Sequence, residues 1–261
     1  LFGCASGSDP ETAPPPKDTV FLLDTSGSMR GDKLEQARAA IEYCLKHLNP
    51  GDRFNLITFG TVVRSFRETP VAASAATLRE ALEFMEETVA QGRTNIGEAL
   101  ARGLRGKPDA GRLRIMIFLT DGTPTAGELV PAAILERLPE FNAGKSRIFV
   151  MGVGHDVNAH LLDRLAEQTD GSSEYVAPDE EIDVKMAALY NRLSHPVLTD
   201  VRLSFGELAT SAVFPRKLPA LFQGSELTVA GRYRGGGKPT VSLTGTLAGG
   251  AREYKYVLDF P

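Results

Sequence analysis

The stretch Thr19-Val20-Phe21-Leu22-Leu23-Asp24-Thr25-Ser26-Gly27-Ser28-Met29 decides the reading of this chain. Its first five residues are a continuous apolar run, which reads as a strand buried on both faces. Asp24 ends the run. Ser26 and Ser28 then alternate through a turn that Gly27 permits, so a carboxylate and two hydroxyls point into one small volume. A second apolar run, Ile115-Met116-Ile117-Phe118-Leu119, leads to Asp121. Thr94 lies between Gly92 and a helix expected to start near Ile96. Open α/β sheets place their ligands at the carboxyl ends of strands. Asp24, Ser26, Ser28, Thr94 and Asp121 can therefore converge on one divalent cation. Oxygen-only donors suit Mg²⁺, Mn²⁺ or Ca²⁺ rather than zinc. Three hydroxyls and two carboxylates fit Mg²⁺ or Ca²⁺ alike, with Mg²⁺ the first choice. Each piece alone has a plainer reading. A Ser-rich turn can cap the next helix, and Asp121-Gly122-Thr123 can be a simple turn.

Together the five residues match the pattern Asp-x-Ser-x-Ser, then Thr, then Asp. This resembles the metal-ion-dependent adhesion site of von Willebrand factor type A domains, and the strand contexts agree with it. Three longer segments, "DRFNLITFGTVVRSF", "IFVMGVGHDVNAHLLDRLAEQTDGSSEYV" and "HPVLTDVRLSF", look like the inter-alpha-trypsin inhibitor heavy chain branch of that family. The likeness runs from about Lys17 to about Tyr233. In that branch a β domain lies upstream, and the chain starts too late to contain it, so the resemblance suggests a fragment or an unusual architecture.

The resemblance implies that Ser26 and Ser28 bind the metal directly. It implies that Thr94 does so in a high-affinity state, and that Asp24 and Asp121 act largely through water. A cation held by hydroxyls and water is poorly neutralised, so an Asp or Glu of a protein partner is its natural further ligand. Met29, Arg30, Arg93, Asn95 and Thr123 flank the five and form the expected rim of the partner surface. The implied function is metal-dependent protein binding without catalysis. The alternative is a structural module whose metal only stabilises loops. The two readings part at Thr94, whose loss would abolish partner binding under the first and matter little under the second.

Bulk properties agree with a binding module and exclude some classes. Hydrophobic content of 42% and charged content of 24% over 261 residues are ordinary for a globule of one large domain, or of one medium and one small domain. The net charge of −4 argues against a nucleic-acid partner, which demands a basic face. From Val197 to Pro261 there are 8 Lys/Arg and 5 Asp/Glu, a net +3 that leaves −7 for the rest. No apolar run approaches the roughly 20 residues of a membrane helix. Leu1-Phe2-Gly3-Cys4 faintly resembles the end of a lipoprotein signal, in which Cys4 would be lipidated. Cys44 falls on the inward face of a helix and reads as a small core residue. Family habit implies an extracytoplasmic location.

Three regions are expected. Residues 1–16 form a Pro-rich lead-in, able to supply one strand of a flanking β module. Residues 17–194 alternate strand and helix, which predicts a doubly wound, mostly parallel sheet with helices on both faces. Helices are expected over 32–48, 76–89, 96–104, 131–141, 158–168 and 178–193. Strands are expected over 54–59, 113–119, 146–150 and 172–176, with 62–66 returning as an edge hairpin. Residues 195–261 lose the helical period and read as a small β-sandwich-like region. Its strands are expected over 197–205, 226–233, 239–246 and 253–260, with turns at Gly235-Gly236-Gly237 and Gly249-Gly250.

Enzyme readings fare worse. A phosphoryl-transfer site with an Asp nucleophile wants a second Asp two residues after Asp24, where this chain has Ser26, and no Lys–Asp pair is evident for it. His155 and His160 lack Glu or Cys at metal spacing and read as surface or capping residues. Lys145 and Arg147 read as solvated charges.

Overall fold

The structure, a computed structural model, describes residues 15–107, 109, 112–194, 196–216, 218–222, 227–247 and 250–261. The lead-in and Cys4 therefore lie outside the described residues. The chain divides into two compact units, Pro16–Tyr190 and a second that includes Asn191–Pro261.

The larger unit is built on one sheet. Strands β1 (Lys17–Asp24), β2 (Arg53–Phe59), β3 (Val63–Ser65), β4 (Val71–Ala72), β5 (Leu113–Thr120), β6 (Arg147–Val153) and β7 (Ser173–Val176) lie in the order β3-β2-β1-β5-β6-β7, with β4 also on β2. The pairs β1–β2, β1–β5, β5–β6 and β6–β7 are parallel. The edge strands β3 and β4 run antiparallel to β2. Six helices accompany the sheet: α1 (Asp32–Lys46), α2 (Ala75–Glu86), α3 (Ile96–Gly103), α4 (Pro131–Phe141), α5 (Ala159–Gln168) and α6 (Ile182–Leu193). This is the expected doubly wound fold. The short β4 has no counterpart in the sequence reading, because two residues give no period.

Both faces of β1 are buried, as its apolar run requires. Alternation along the strand sends Val20 and Leu22 into a core with α3, α4 and α5, through Leu100, Ile134, Leu138 and Leu162. Phe21 points the other way, its ring 6.4 Å from that of Tyr190 on α6. The Ile182 amide donates to the Gln36 side chain, which brings α1 beside α6 on that second face. Cys44 is fully buried on α1.

Two expectations shift. Helix α6 starts at Ile182 rather than Pro178, because Glu180 closes a turn: its N–H donates to the Ala177 carbonyl at 2.9 Å, and its carboxylate accepts from the Ala177 N–H at 2.8 Å. Arg147 is buried rather than solvated. It opens β6.

In the smaller unit, β8 (Pro196–Ser204), β9 (Ala209–Phe214), β10 (Leu221–Phe222), β11 (Ala230–Arg234), β12 (Thr240–Leu247) and β13 (Gly250–Val257) form two antiparallel sheets, β10-β8-β12-β13 and β11-β9. Leu198, Val201, Leu221 and Leu243 are its buried core. Strands β9 and β10 escaped the sequence reading. Ala209–Phe214 is exposed on nearly every residue, so it carries no in–out alternation, and β10 is only two residues long. Gly235 and Gly237 both have positive φ in the expected glycine turn. Of the second glycine turn, residue 249 lies outside the described residues and Gly250 opens β13.

At the start of β1 and β2 sits a buried ion pair. Lys17 Nζ lies 2.5 Å from Asp52 Oδ2, and both side chains are essentially inaccessible. Asp52 also accepts from the Lys17 and Asn49 amides. Next to it, burial would raise the Asp18 carboxyl. Hydrogen bonds from Arg53 and Arg112 outweigh that and hold it below its ordinary range. Removing one partner of a buried pair strands the other charge, at about 3–5 kcal/mol. Asp52→Ala should therefore lower unfolding stability in denaturant by about that amount. Because the pair lies at the strand ends remote from Asp24 and Asp121, cation affinity of the folded variant should be unchanged.

Candidate metal-binding site

The site grows from register. Strand β1 pairs in parallel with β5 up to Leu23 opposite Leu119, so Asp24 and Asp121 leave the sheet at neighbouring strand ends. Asp24 closes β1 and is fully buried. Its Oδ1 accepts from the Ser26 amide at 2.8 Å, and its Oδ2 accepts from the Thr120 hydroxyl at 2.5 Å. A 3₁₀ turn over Gly27–Met29 then swings the chain round. It brings Ser26 Oγ and Ser28 Oγ within 3.1 Å of each other. Ser28 Oγ donates to Asp121 Oδ1 at 2.7 Å, across 93 residues of sequence. The other Asp121 oxygen accepts from Lys33 Nζ, also at 2.7 Å.

Thr94 arrives on a separate loop that is tied down on both sides. The Gly27 amide donates to the Gly92 carbonyl at 3.1 Å, which fixes this loop to the serine turn. Gly92 has φ +79°, and a Cβ there would lie 2.4 Å from the Thr61 hydroxyl, so only glycine fits. The Thr94 amide donates to Thr125 Oγ1, and its carbonyl accepts from the Thr125 and Ala126 amides. Thr94 is buried, and its hydroxyl lies 3.4 Å from where a Gly122 Cβ would stand. The threonine hydroxyl thus faces the loop that follows Asp121.

Four of the five predicted residues, Asp24, Ser26, Ser28 and Asp121, are linked by hydrogen bonds, and Thr94 adjoins them through Gly122. Ser26, Ser28, Thr94 and Asp121 line an open cavity of about 510 Å³ together with Lys33 and Arg93. The expected rim is only partly there. Arg93 and Thr123 line the cavity, and Arg30 is exposed outside its lining. Met29 is fully buried, because the 3₁₀ turn aims its apolar side chain into the core. Asn95 is buried as the N-cap of α3: its side-chain oxygen accepts from the Glu98 amide, and its amide group donates to the Glu98 carboxylate. Neither Met29 nor Asn95 offers a partner surface.

Thr120, Lys33 and Asp156 had escaped the sequence reading, which had placed His155 at the surface but not at this cavity. Thr120 holds Asp24, and its position at the end of a strand beside Asp121 could have signalled it. Lys33 pairs with Asp121, so a Lys–Asp pair exists where none was evident. His155 and Asp156 reach the cavity from the loop after β6. Neither His155 nor His160 is buried.

The donor set fits a hard divalent cation. Among the described residues no group of three or more His, Cys, Asp or Glu side chains gathers in a metal-holding cluster, so hydroxyls would have to supply much of any cation's shell here. Burial pushes the Asp24 carboxyl up to about 6, hydrogen bonds from Thr120 and Ser26 oppose the rise, and the nearby Asp121 charge adds to it. Two carboxylates held close in a buried setting call for positive charge. The Lys33 ammonium already supplies some of it on the outer side of Asp121.

Comparison with known proteins agrees with this geometry. The chain is 34% identical over 242 residues to human inter-alpha-trypsin inhibitor heavy chain H4, a match covering 90% of this chain and 26% of that protein. The chain thus spans about a quarter of the length of the curated relatives it matches. Among solved structures it is similar to a von Willebrand factor type A protein from Catenulispora acidiphila. There the TM-score is 0.68 and the identity 19%, with 93% of this chain and 66% of that chain covered. It is also similar to proximal thread matrix protein 1 from the mussel byssus, in a structure whose adhesion motif is occupied by zinc. That match has a TM-score of 0.54 and 15% identity, and covers 74% of this chain and 50% of that one. The family profile described as von Willebrand factor type A domain matches residues 17–175. The chain belongs to the von Willebrand factor type A domain family.

Proposed function

We propose that the unit Pro16–Tyr190 is a metal-ion-dependent protein-binding module. The hydroxyls of Ser26, Ser28 and Thr94, with the carboxylates of Asp24 and Asp121, would hold a divalent cation, Mg²⁺ in first place and Ca²⁺ or Mn²⁺ as alternatives. The observation that carries the reading is the convergence of Ser26, Ser28, Thr94 and Asp121 on a solvent-open cavity at the strand ends, with Asp24 buried behind them and tied to the Ser26 amide. Hydroxyls contribute no charge, and Asp121 already spends one oxygen on Lys33 and the other on Ser28. A cation here keeps much of its charge, so an Asp or Glu carboxylate of a protein partner is the complementary ligand.

Zinc enters the list of cations to test because the mussel protein carries it in the corresponding motif. The partner surface is the rim that includes Arg93 and Thr123, extended by His155. We place the protein in an extracytoplasmic setting, as a module within a longer polypeptide that includes a flanking β domain. No helix among the described residues is long and apolar enough to cross a membrane.

Catalysis by Asp24 is disfavoured on geometry. It is fully buried and outside the cavity lining, and each of its oxygens accepts a hydrogen bond, from the Ser26 amide or the Thr120 hydroxyl, so the carboxylate is not presented to a cavity ligand as a nucleophile. Thr120 would have to leave first. The Lys33–Asp121 pair serves charge balance equally well in a binding site.

Calorimetric titration of Mg²⁺, Mn²⁺, Ca²⁺ and Zn²⁺ into chelator-treated protein tests the reading. Saturable binding at one site, lost in the Asp24→Ala, Ser26→Ala double variant, is expected. Absence of binding by the intact chain and by a variant that lacks the Lys33 charge would leave the loops as purely structural and move the alternative ahead.

The same experiment run against pH has a defined sign. Folded Asp24 holds its proton more tightly than the ordinary carboxyl at 3.8. Its contribution to metal-free stability is therefore present below pH 3.8 and lost as pH rises through about 6. A cation must displace that proton, so affinity should be level above about pH 6 and weaken by up to about tenfold per pH unit below it. Affinity that stays flat down to pH 5 would mean that Asp24 is not part of the site.

A further inference from the structure

Lys33 stands where the helix dipole opposes its charge. It is the one basic residue in the first turn of α1, where the helix dipole favours anions and where Asp32 and Glu35 also sit. Its side chain is 41% exposed and could reach solvent freely, yet its ammonium turns onto Asp121 Oδ2 at 2.7 Å, a carboxylate that is itself inaccessible. The Lys33 ammonium also lies against the β6 turn, 3.7 Å from where a Cβ on Gly154 would stand. It is thus held between two loops at the edge of the cavity. Among the described residues Lys33 is the cation paired with Asp121, whose remaining oxygen is taken by the neutral Ser28 hydroxyl.

We propose that Lys33 is a built-in counter-cation that sets the metal affinity of the site below what its donors would otherwise give. With no metal bound, the ammonium neutralises Asp121 and keeps the strand ends from repelling. When a divalent cation enters, the two positive charges share one carboxylate and disfavour each other. The site then holds metal weakly until further negative charge arrives, and a partner carboxylate supplies it. Metal and acidic partner are thereby made to bind together rather than in turn, because each supplies the charge that the other lacks. This rests on the binding reading above for its ligand, and it adds the residue that tunes that ligand's affinity.

The test compares wild type with Lys33→Met and Lys33→Gln, which keep a stem of similar length without charge, and with Lys33→Arg, which keeps the charge. Mg²⁺ and Mn²⁺ are titrated into each chelator-treated protein, and thermal midpoints are taken with and without metal. Removal of one unit charge a few ångströms from the cation should tighten metal binding by about tenfold or more in the Met and Gln variants, and leave Lys33→Arg close to wild type. The metal-free Met and Gln variants should also melt lower than wild type and gain more from added metal.

Unchanged or weaker metal affinity in Lys33→Met and Lys33→Gln, beside a wild type that binds, overturns the counter-cation while leaving the metal site standing. Binding by those variants but not by wild type supports the counter-cation and contradicts an autonomous wild-type site. Absence of binding in every form overturns both.

Discussion

Two buried carboxylates must be neutralised at the end of a parallel sheet, and the rest of the site follows from that constraint. Strands β1 and β5 are neighbours in register, so Asp24 and Asp121 leave the sheet side by side. Neither can be hydrated as in water, and burial, partly opposed by the Thr120 and Ser26 hydrogen bonds and reinforced by the Asp121 charge, raises the Asp24 carboxyl to about 6. Every polar group around them responds to this. Thr120 and the Ser26 amide donate to Asp24, while Ser28 and Lys33 donate to Asp121. Hydrogen bonds spread the charge but do not remove it. On the proposed reading, a site built this way would attract a cation from solution and, with hydroxyls supplying much of its shell, the bound cation would still attract an anion from a partner.

The loops that complete the arrangement are fixed largely by backbone hydrogen bonds, with the Thr125 hydroxyl and the buried Met29 side chain adding to them. Gly92 adopts a left-handed conformation so that its carbonyl can receive the Gly27 amide, which locks the Thr94 loop to the serine turn. Thr94 is pinned in turn by Thr125 and Ala126. The hydroxyls are thus preset before any ligand arrives, which lowers the ordering needed on binding. Behind them the sheet is anchored at its opposite strand ends by the buried Lys17–Asp52 pair.

Much of this was legible in the amino-acid order, for identifiable reasons. The runs Thr19–Leu23 and Ile115–Leu119 are apolar without alternation, which only a doubly covered strand requires, and each is closed by an Asp at the ligand-binding end. What was not legible depends on contacts across long separations or on direction. The tie of Lys33 to Asp121 spans 88 residues, and nothing in the local sequence around Lys33 points to it. Met29 sits within the motif, yet its side chain points inward because a 3₁₀ turn, not an open loop, follows Ser26. Asn95 could have been read as a helix cap from its place just before Ile96, with Glu98 three residues on. In the smaller unit the exposed strand β9 lacks the alternation on which strand reading depends.

The most direct test of the account is to locate the cation. Crystals grown without metal and soaked in Mn²⁺ would give an anomalous difference peak. The account predicts one strong peak among the Ser26, Ser28 and Thr94 hydroxyls, on the inner side of Asp121 and away from the Lys33 ammonium. A peak elsewhere on the protein, or none while Lys33 remains on Asp121, would contradict the claim that these residues form a cation site.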